Sequence, residues 1–258
     1  MGMMPKLEDA VILEQQKIGP RHYKLTLASE YIAQNAVPGQ FVEVKVANGT
    51  EPLLRRPLSI HRVSGQTFEI LFEVVGPGTK LISQKKKGEK LNILGPLGKG
   101  FTIESDILVL VAGGLGVAPL RFLADNAVKQ GKKVHAILGA STKECLLCEA
   151  DMIPISENVK VSTDDGSYGQ KGLVTELLSS VLSSYSLVLT TIYSCGPRAM
   201  LAEVARIAKE NEIPCQVSLE AFMACGIGAC LGCAVETVSG YKMASKDGPV
   251  FNAEEIKW

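Results

Sequence analysis

The chain has 258 residues, of which 46% are hydrophobic and 21% are charged, and its 27 basic residues balance its 27 acidic ones. This length favours two packed units over one, and the balanced charge argues against a nucleic acid or a membrane surface as partner. Because the sequence starts without a signal-peptide pattern and contains no apolar run of about 20 residues, we predict a cytoplasmic protein.

Residues 10 to 103 consist of short β-rich segments in which apolar and polar residues alternate. The segments read HYKLTLAS, GQFVEVKVA, TFEILFEVV and EKLNILGPL, and turn residues such as VPGQ, VSGQ and KKKGE separate them. This pattern is typical of antiparallel sheets, so we predict a small β-barrel.

Two motifs in this region could contact a phosphorylated ligand. In LLRRPLSI, the Arg56 guanidinium could reach a phosphate and the Ser59 hydroxyl could lie near a flavin ring, although Arg56 could equally be a solvated surface charge. In VVGPGTKL, the amides of Gly76 and Gly78 and the hydroxyl of Thr79 could bind a pyrophosphate, or the segment could be an ordinary glycine turn.

After residue 103 the pattern changes to alternating strands and helices. ILVLVAGG, VHAILGAS, VKVSTDDG and LVLTTIYSCGP are apolar or β-rich runs, and PLRFLADNAVKQGKK, LVTELLSSVLSS and RAMLAEVARIAKENE have helical patterns. A continuous apolar run is typical of a parallel strand that is buried on both faces. We therefore predict a doubly wound parallel sheet with helices on both faces.

Two glycine-containing loops follow strands of this predicted sheet. The glycines of VAGGLGVAPL would let a phosphate approach backbone amides at the start of a helix, although the loop could also be an ordinary tight turn. YSCGPRAML places Cys195 at the end of a later strand, at the sheet edge where α/β proteins bind ligands, although Cys195 could also be a buried thiol.

The last region, from about Leu219, carries the cysteine-rich stretch MACGIGACLGCAV. Cys225, Cys230 and Cys233 have the C-x4-C-x2-C spacing of a plant-type [2Fe–2S] site, which needs four thiolates, yet no cysteine follows Cys233. In a reducing compartment, the odd total of seven cysteines is better explained by metal ligands and buried thiols than by disulfides. A hairpin pattern, GCAVETVSGYKMAS, follows, and the region is too short to fold without a supporting neighbour.

The remaining candidate residues have weaker patterns. Cys145 and Cys148 form a C-x2-C pair, but no second pair lies at zinc-finger spacing, so we predict that they are buried thiols. The three histidines, His22, His61 and His135, are scattered among β-rich segments, and we assign none of them to catalysis.

In this order, the motifs RPLS, GPGT, GGLGVAP and CGP resemble those of the ferredoxin–NADP reductase superfamily. The cysteine-rich stretch, GPLGKGF, TDDGSYGQKGLVT and YKMASKDGPVF are similar to segments of the electron-transfer subunits of bacterial NAD-dependent (type B) dihydroorotate dehydrogenases. The resemblance covers nearly the whole chain. It implies an FAD-binding β-barrel domain over residues 1–103, an NAD-binding α/β domain over residues 104–218 and a small iron–sulfur subdomain over residues 219–258.

The resemblance also assigns residues to the cofactors. The FAD-binding residues would be Arg56, Pro57, Leu58, Ser59, Leu71, Phe72, Glu73, Gly78 and Thr79. The residues bordering NAD would be Gly113, Gly114, Gly116, Cys195, Gly196 and Pro197. Ser59 would lie near the reactive end of the flavin and act in catalysis. Relatives often have a basic residue in place of Glu73, and no acidic residue closes the VHAILGAS strand to bind a ribose, so the preference for NAD over NADP rests on the resemblance alone.

The chain departs from the family at the fourth ligand of the cluster, after Cys225, Cys230 and Cys233. Relatives have a cysteine in a segment of the form Y-K-x-x-C-K-D-G-P-V-F, where this chain has Ser245. A serine alkoxide can ligate iron, but serine gives up its proton far less readily than cysteine, whose pKa is about 8.5. Alternatively, Asp247 ligates the cluster, Cys195 or Cys215 folds over from the nucleotide domain, or the cluster is absent.

The function implied by the resemblance is electron transfer in pyrimidine biosynthesis. Electrons would pass from the FMN of a partner dihydroorotate dehydrogenase, in a heterotetramer with two copies of each subunit, through the [2Fe–2S] cluster and FAD to NAD⁺. One alternative is a related reductase subunit of a sulfide dehydrogenase or of an NADH-dependent ferredoxin–NADP reductase complex. Another is a scaffold that has lost its redox centres.

Overall fold

The computed structural model describes residues 4–47, 49, 51–182 and 189–258. Its N-terminal part is a closed antiparallel barrel with strand order β1-β2-β5-β4-β3-β6. The strands are β1 (Lys6–Lys17), β2 (His22–Ala28), β3 (Phe41–Val44), β4 (Arg56–Ser64), β5 (Thr67–Glu73) and β6 (Lys90–Leu97). The predicted barrel is therefore confirmed.

The alternating pattern of the barrel strands explains its core. Leu25 and Leu27 of β2, Ile60 of β4 and Phe68 and Ile70 of β5 are fully buried together inside the barrel. Since successive side chains of a strand point to opposite faces, the residues between them are free to face solvent or a ligand.

Two short helices interrupt the barrel, α1 (Glu30–Asn35) and α2 (Pro77–Ser83). Ser29 caps α1 by accepting a hydrogen bond from the Ile32 N–H at 3.0 Å. The segment PGTK, for which an ordinary glycine turn was one interpretation, instead forms the start of α2, because Pro77 suits the first helical turn.

The middle of the chain forms a seven-stranded sheet in the order β10-β9-β8-β7-β11-β12-β15. The strands of this sheet are β7 (Ile107–Gly113), β8 (Lys133–Ala140), β9 (Asn158–Thr163), β10 (Gln170–Lys171), β11 (Thr190–Cys195), β12 (Cys215–Ser218) and β15 (Val250–Asn252). All neighbouring pairs are parallel except β12 and β15. The predicted LVTELLSSVLSS and LVLTTIYSCGP runs extend into residues 183–188, which lie outside the described residues.

Helices cover both faces of this sheet. The helices are α3 (Val117–Lys129), α4 (Glu149–Met152), α5 (Val174–Leu182) and α6 (Arg198–Glu210). Leu108 and Leu110 of β7 pack with α3, whereas Val109 and Val111 pack with α5 and α6. The uninterrupted apolar run of β7 follows from this burial on two faces, and the predicted doubly wound sheet is confirmed.

The C-terminal region consists of a cysteine loop (Cys225–Cys233), the hairpin β13 (Ala234–Thr237) and β14 (Gly240–Met243), and β15. Its apolar side chains share a core with α6 and β12, and β15 adds an antiparallel edge strand to the sheet. The supporting neighbour predicted for this region is therefore the parallel sheet and α6. The predicted domain limits at residues 103 and 218 stay predictions. Among the described helices, none combines the length and apolar character needed to cross a membrane.

Candidate cofactor cavity and cysteine loop

A cavity of 1010 Å³ lies between the barrel and the carboxyl edge of the parallel sheet. Except for Gly78 and Gly116, every residue predicted to bind FAD or NAD lines it. These lining residues are Arg56, Pro57, Leu58, Ser59, Leu71, Phe72, Glu73, Thr79, Gly113, Gly114, Cys195, Gly196 and Pro197. Residues from separate strands thus converge on one space, although their contacts with cofactors stay predictions.

The barrel wall of the cavity is formed by β4 and β5 and by the start of α2. The guanidinium of Arg56 lies over Gly78, where an added Cβ would be 2.5 Å from Arg56 Nε. Arg56 Nη1 also donates to the Leu54 carbonyl oxygen at 2.6 Å. Because Gly78 has no side chain, the guanidinium can lie against the turn that opens α2.

The hydroxyl of Thr79 is used within this turn. Its Oγ1 accepts hydrogen bonds from the N–H groups of Val75 at 3.0 Å and Gly76 at 3.3 Å. Thr79 is buried, so its hydroxyl fixes the shape of the glycine turn beside Arg56.

The opposite wall is formed by the two loops that follow β7 and β11. These strands are direct neighbours, with Cys195 aligned to Ala112, so their carboxyl ends meet. The loops touch so closely that a Cβ on Gly116 would lie 1.9 Å from the Cys195 carbonyl oxygen. Burial raises the pKa of Cys195 to about 12, so its thiol is neutral at pH 7.

An ion pair on the barrel side of the cavity was missed in the sequence. Arg21, which precedes β2, pairs with the carboxylate of Glu73 on β5, and both residues line the cavity. The residue after Arg21, His22, lies opposite Glu73 in the strand register. A basic group therefore stands beside Glu73, although it comes from a different strand. Burial lowers the pKa of the His22 imidazole.

An acidic residue at the sheet edge was also missed. Asp164 directly follows β9 and lines the cavity together with Ser141, which follows β8. Because β8 and β9 are adjacent parallel strands, their carboxyl ends lie side by side. The sequence pattern pointed to the end of β8 as the place for a ribose-binding carboxylate, whereas the cavity offers one from the end of β9.

The cysteine loop begins at the edge of this cavity. Phe222 and Met223 line the cavity, and Cys225 follows two residues later. Burial would raise the pKa of the Cys225 thiol, but hydrogen bonds from the backbone N–H groups of Ile227, Cys230 and Ala229 lower it to about 7. A substantial fraction of Cys225 is therefore thiolate at neutral pH, which is the form that binds iron.

The structure brings Ser245 next to the last cysteine of the loop. The Cys233 thiol donates to the Ser245 hydroxyl oxygen at 3.0 Å, and both side chains are buried. The Ser245 N–H also points to Cys233 Sγ at 3.4 Å. The carboxylate of Asp247 instead accepts a hydrogen bond from the Met243 N–H at 2.8 Å.

A buried carboxyl group lies behind the cysteine loop. Glu43 of β3 is 0% exposed, its side chain lies against Gly226, and both of its carboxyl oxygens lack a hydrogen-bond partner among the described residues. Burial is the main reason that the pKa of Glu43 rises to about 7; the nearby Arg55 opposes this shift and Cys225 adds to it. The alternating FVEV pattern gave no sign of this burial, because the cover comes from a distant part of the chain.

The residues present fit the cofactors implied by the sequence. A [2Fe–2S] cluster needs thiolate ligands, and the loop offers three cysteines, one with a lowered thiol pKa, together with the Ser245 hydroxyl beside Cys233. A dinucleotide needs donors for its phosphates and open backbone at the ends of parallel strands, and the cavity offers Arg56, Arg21 and the glycine loops.

Comparison with known proteins gives the family. The family model described as "Iron-sulfur cluster binding domain of dihydroorotate dehydrogenase B" matches residues 220–257, and "Oxidoreductase NAD-binding domain" matches residues 110–206. The chain is 40% identical to the "Dihydroorotate dehydrogenase B (NAD(+)), electron transfer subunit" of Desulforamulus reducens, covering 99% of this chain and 100% of that protein. It is 39% identical to the protein of the same name from Geobacillus thermodenitrificans, covering 96% and 98% of the two chains.

Solved structures agree with this result. The structure of an NADH-dependent reduced ferredoxin–NADP oxidoreductase, a flavin-based electron-bifurcating enzyme, superimposes with a TM-score of 0.88 at 30% identity, covering 100% of this chain and 92% of that chain. A ferredoxin–NADP⁺ reductase from Neisseria gonorrhoeae, at 19% identity and a TM-score of 0.66, covers 80% of this chain and 91% of that chain and shares the fold alone. Given the near-complete coverage at 40% identity, the chain belongs to the family of electron-transfer subunits of NAD⁺-linked dihydroorotate dehydrogenase B.

Proposed function

We propose that this chain passes electrons from a partner dihydroorotate dehydrogenase subunit, through a [2Fe–2S] cluster and FAD, to NAD⁺ in pyrimidine biosynthesis. The observation that carries the proposal is the continuity between its two sites. Met223 lines the cofactor cavity, and Cys225 begins the cysteine loop two residues later. A cluster held by this loop would lie next to the cavity, so electrons could pass from the cluster to FAD in the cavity without crossing the rest of the protein.

The cavity residues divide between FAD and NAD. Bound there, FAD exchanges a hydride with the nicotinamide and single electrons with the cluster. On the barrel side, Arg56 and Arg21 supply positive charge for the pyrophosphate, and Glu73 orients Arg21. On the sheet side, the residues for NAD are Gly113, Gly114, Gly116, Cys195, Gly196 and Pro197.

Two side chains of the cavity refine this assignment. Ser59 of β4 lines the cavity, and its hydroxyl donates or accepts a hydrogen bond at the flavin ring. The carboxylate of Asp164 accepts hydrogen bonds from a ribose and repels a 2′-phosphate, which favours NAD over NADP.

Cys225, Cys230 and Cys233 hold the cluster, and the Ser245 oxygen completes its ligands. Support comes from the 3.0 Å approach of the Ser245 hydroxyl to Cys233 Sγ and from the hydrogen bond that engages Asp247 elsewhere. A serine ligand makes the cluster more fragile than four thiolates would, because the alkoxide forms less readily.

The partner is the catalytic subunit, which holds FMN and oxidises dihydroorotate, in a heterotetramer with two copies of each chain. The relatives named as electron-transfer subunits support a catalytic partner subunit, since an electron-transfer subunit implies a catalytic one. The cytoplasmic location remains a prediction. The rival function is a subunit of an NADH-dependent ferredoxin–NADP reductase complex, which the TM-score of 0.88 favours, but the identity to that structure is 30% against 40% for the named subunits.

A serine substitution tests the assignment of the cavity. Replacing Ser59 with alanine removes one hydrogen bond to the flavin, so we expect NADH to reduce the bound FAD about fivefold more slowly while FAD stays bound. Stopped-flow absorbance at the flavin band measures the rate.

Ser64 provides the matched control, because it lies on the same strand but is exposed and outside the cavity. NADH should reduce the FAD bound to Ser64→Ala at the wild-type rate. An unchanged rate in Ser59→Ala would remove Ser59 from the site, and protein that binds no flavin at all would contradict the proposed function itself.

A further inference from the structure

A second cluster of metal-binding side chains lies outside the cavity and the cysteine loop. It joins His61 of β4, Cys148 at the start of α4 and Asp151 within α4. One ligand atom from each residue lies within 4.8 Å of the other two. We propose that His61, Cys148 and Asp151 form a zinc site that joins the barrel to the parallel-sheet region.

The imidazole of His61 is held in the orientation that a metal ligand needs. The ring is buried, and its Nδ1 lies 2.9 Å from the Ala118 carbonyl oxygen on α3. This contact makes Nδ1 the donor and leaves Nε2 with a free lone pair. Metal-bound histidines usually donate their other ring nitrogen to such an acceptor, which fixes tautomer and orientation.

The thiol of Cys148 faces that lone pair. Cys148 Sγ lies 4.0 Å from His61 Nε2. With Zn–S and Zn–N bonds of about 2.3 and 2.0 Å in a tetrahedral site, the two ligand atoms would be about 3.5 Å apart. A shift of about half an ångström in a side chain therefore brings the thiol and the imidazole to the spacing of two zinc ligands.

The backbone at Cys148 is strained in a way that favours this placement. Its φ is 59°, in the left-handed region that few residues other than glycine adopt. Strained residues of this kind are enriched at ligand-binding and active sites. The neighbouring Cys145 of the same C-x2-C pair lines the 1010 Å³ cavity instead, so the two cysteines line different cavities.

Charge and access are also suitable for zinc. The Cys148 thiolate and the Asp151 carboxylate would neutralise Zn²⁺, so the nearby Lys24, 3.9 Å from Asp151 Oδ2, would face a neutral complex. A separate cavity of 420 Å³ is lined by Cys148 and Asp151 and gives the ion an entry path and a water for its fourth position. On binding, the Cys148 proton leaves to solvent.

Zinc titration of the full-length protein, purified with its flavin and iron and dialysed against metal-free buffer, tests the site. The probe is Zn²⁺ alone, followed by calorimetry and by metal analysis. Wild type should bind one zinc ion, and Cys148→Ser and His61→Gln should bind it at least about tenfold more weakly. Cys145→Ser, the matched control, should bind as wild type does. Equal zinc binding in all four proteins would overturn the proposal.

Zinc-edge X-ray absorption on the wild type separates this site from the cysteine loop and does not depend on any variant. The proposed site has one sulfur ligand at about 2.3 Å and nitrogen or oxygen ligands at about 2.0 Å. Three sulfur ligands would place the zinc in the cysteine loop and overturn the proposal. Flavin absorbance and melting temperature show that each variant is folded.

Discussion

Replacing Gly116 with alanine tests whether the two loops at the sheet edge form one packed unit. The residue is buried in the loop after β7, and an alanine Cβ would lie 1.9 Å from the Cys195 carbonyl oxygen in the loop after β11. The oxygen belongs to the backbone and the position of Cβ is fixed by the backbone, so no side-chain rotation relieves the clash. One loop must move away from the other.

The size of the effect follows from that distance. Since Cβ atoms almost never approach another atom closer than 3.0 Å, the loops must separate by at least 3.0 − 1.9 = 1.1 Å at Gly116. Overpacking of this kind costs about 3 kcal/mol. For a chain of this size, that cost lowers the melting temperature by roughly 6–12 °C.

Gly114→Ala is the matched control, two residues away in the same loop. Gly114 has φ +53°, and its added Cβ would meet nothing within 4 Å. Its only cost is the left-handed backbone, about 1 kcal/mol, or roughly 2–4 °C. Calorimetry of both variants gives the comparison. Equal melting temperatures, or a larger loss in Gly114→Ala, would refute the close packing of the loops.

Three further predictions concern the cluster, the nucleotide and pH. Ser245→Cys should raise iron retention under anaerobic purification toward the two irons of a [2Fe–2S] cluster. Ser239→Cys, on the exposed hairpin turn, should not change it. Equal iron content in the two variants would argue against Ser245 as a ligand. Asp164→Asn should raise the NADPH-to-NADH ratio of kcat/KM roughly thirtyfold, because it removes about 2 kcal/mol of repulsion with a 2′-phosphate. Asp165→Asn removes the neighbouring charge but keeps an oxygen that accepts from the Ser167 N–H, and it should leave this ratio unchanged in steady-state kinetics. Burial lowers the pKa of His22 in the folded state, so the unfolded chain binds a proton at a higher pH than the folded chain does, and the free energy of unfolding should fall as pH drops below 6.5. Urea unfolding should show a shallower fall in His22→Gln than in the wild type. Parallel curves for the two proteins would exclude His22 as the cause.

The fold was predictable because its signals are local. The hydrophobic pattern of a strand indicates how many of its faces are buried: one face where residues alternate, as in β2 and β5, and two faces in the uninterrupted apolar run of β7. The glycine loops follow strands directly, so their place at the carboxyl edge required only chain order. Helix α1, with six residues, was too short to give a helical period, and it was missed.

The residues that were missed depend on contacts between distant segments. Glu43 has the position of an outward-facing strand residue, but it is fully buried, and Gly226 of the cysteine loop lies against its side chain. Asp164 became a cavity residue through the order of strands in the sheet. Arg21, just before β2, pairs with Glu73 on β5, so neither residue alone indicated an ion pair in the sequence. Cys145 and Cys148 are close in sequence, yet they line different cavities.

Dihydroorotate-dependent reduction of NAD⁺ by the co-expressed complex tests the central claim most directly. The chain would be purified anaerobically with a dihydroorotate dehydrogenase catalytic subunit from the same organism, and iron, FAD and NADH formation would be measured together. We expect FAD and iron on this chain and NADH formation that stops when the chain is left out. The proposed electron transfer would be contradicted if, in a complex that contains the partner, NADH reduces the FAD but dihydroorotate does not.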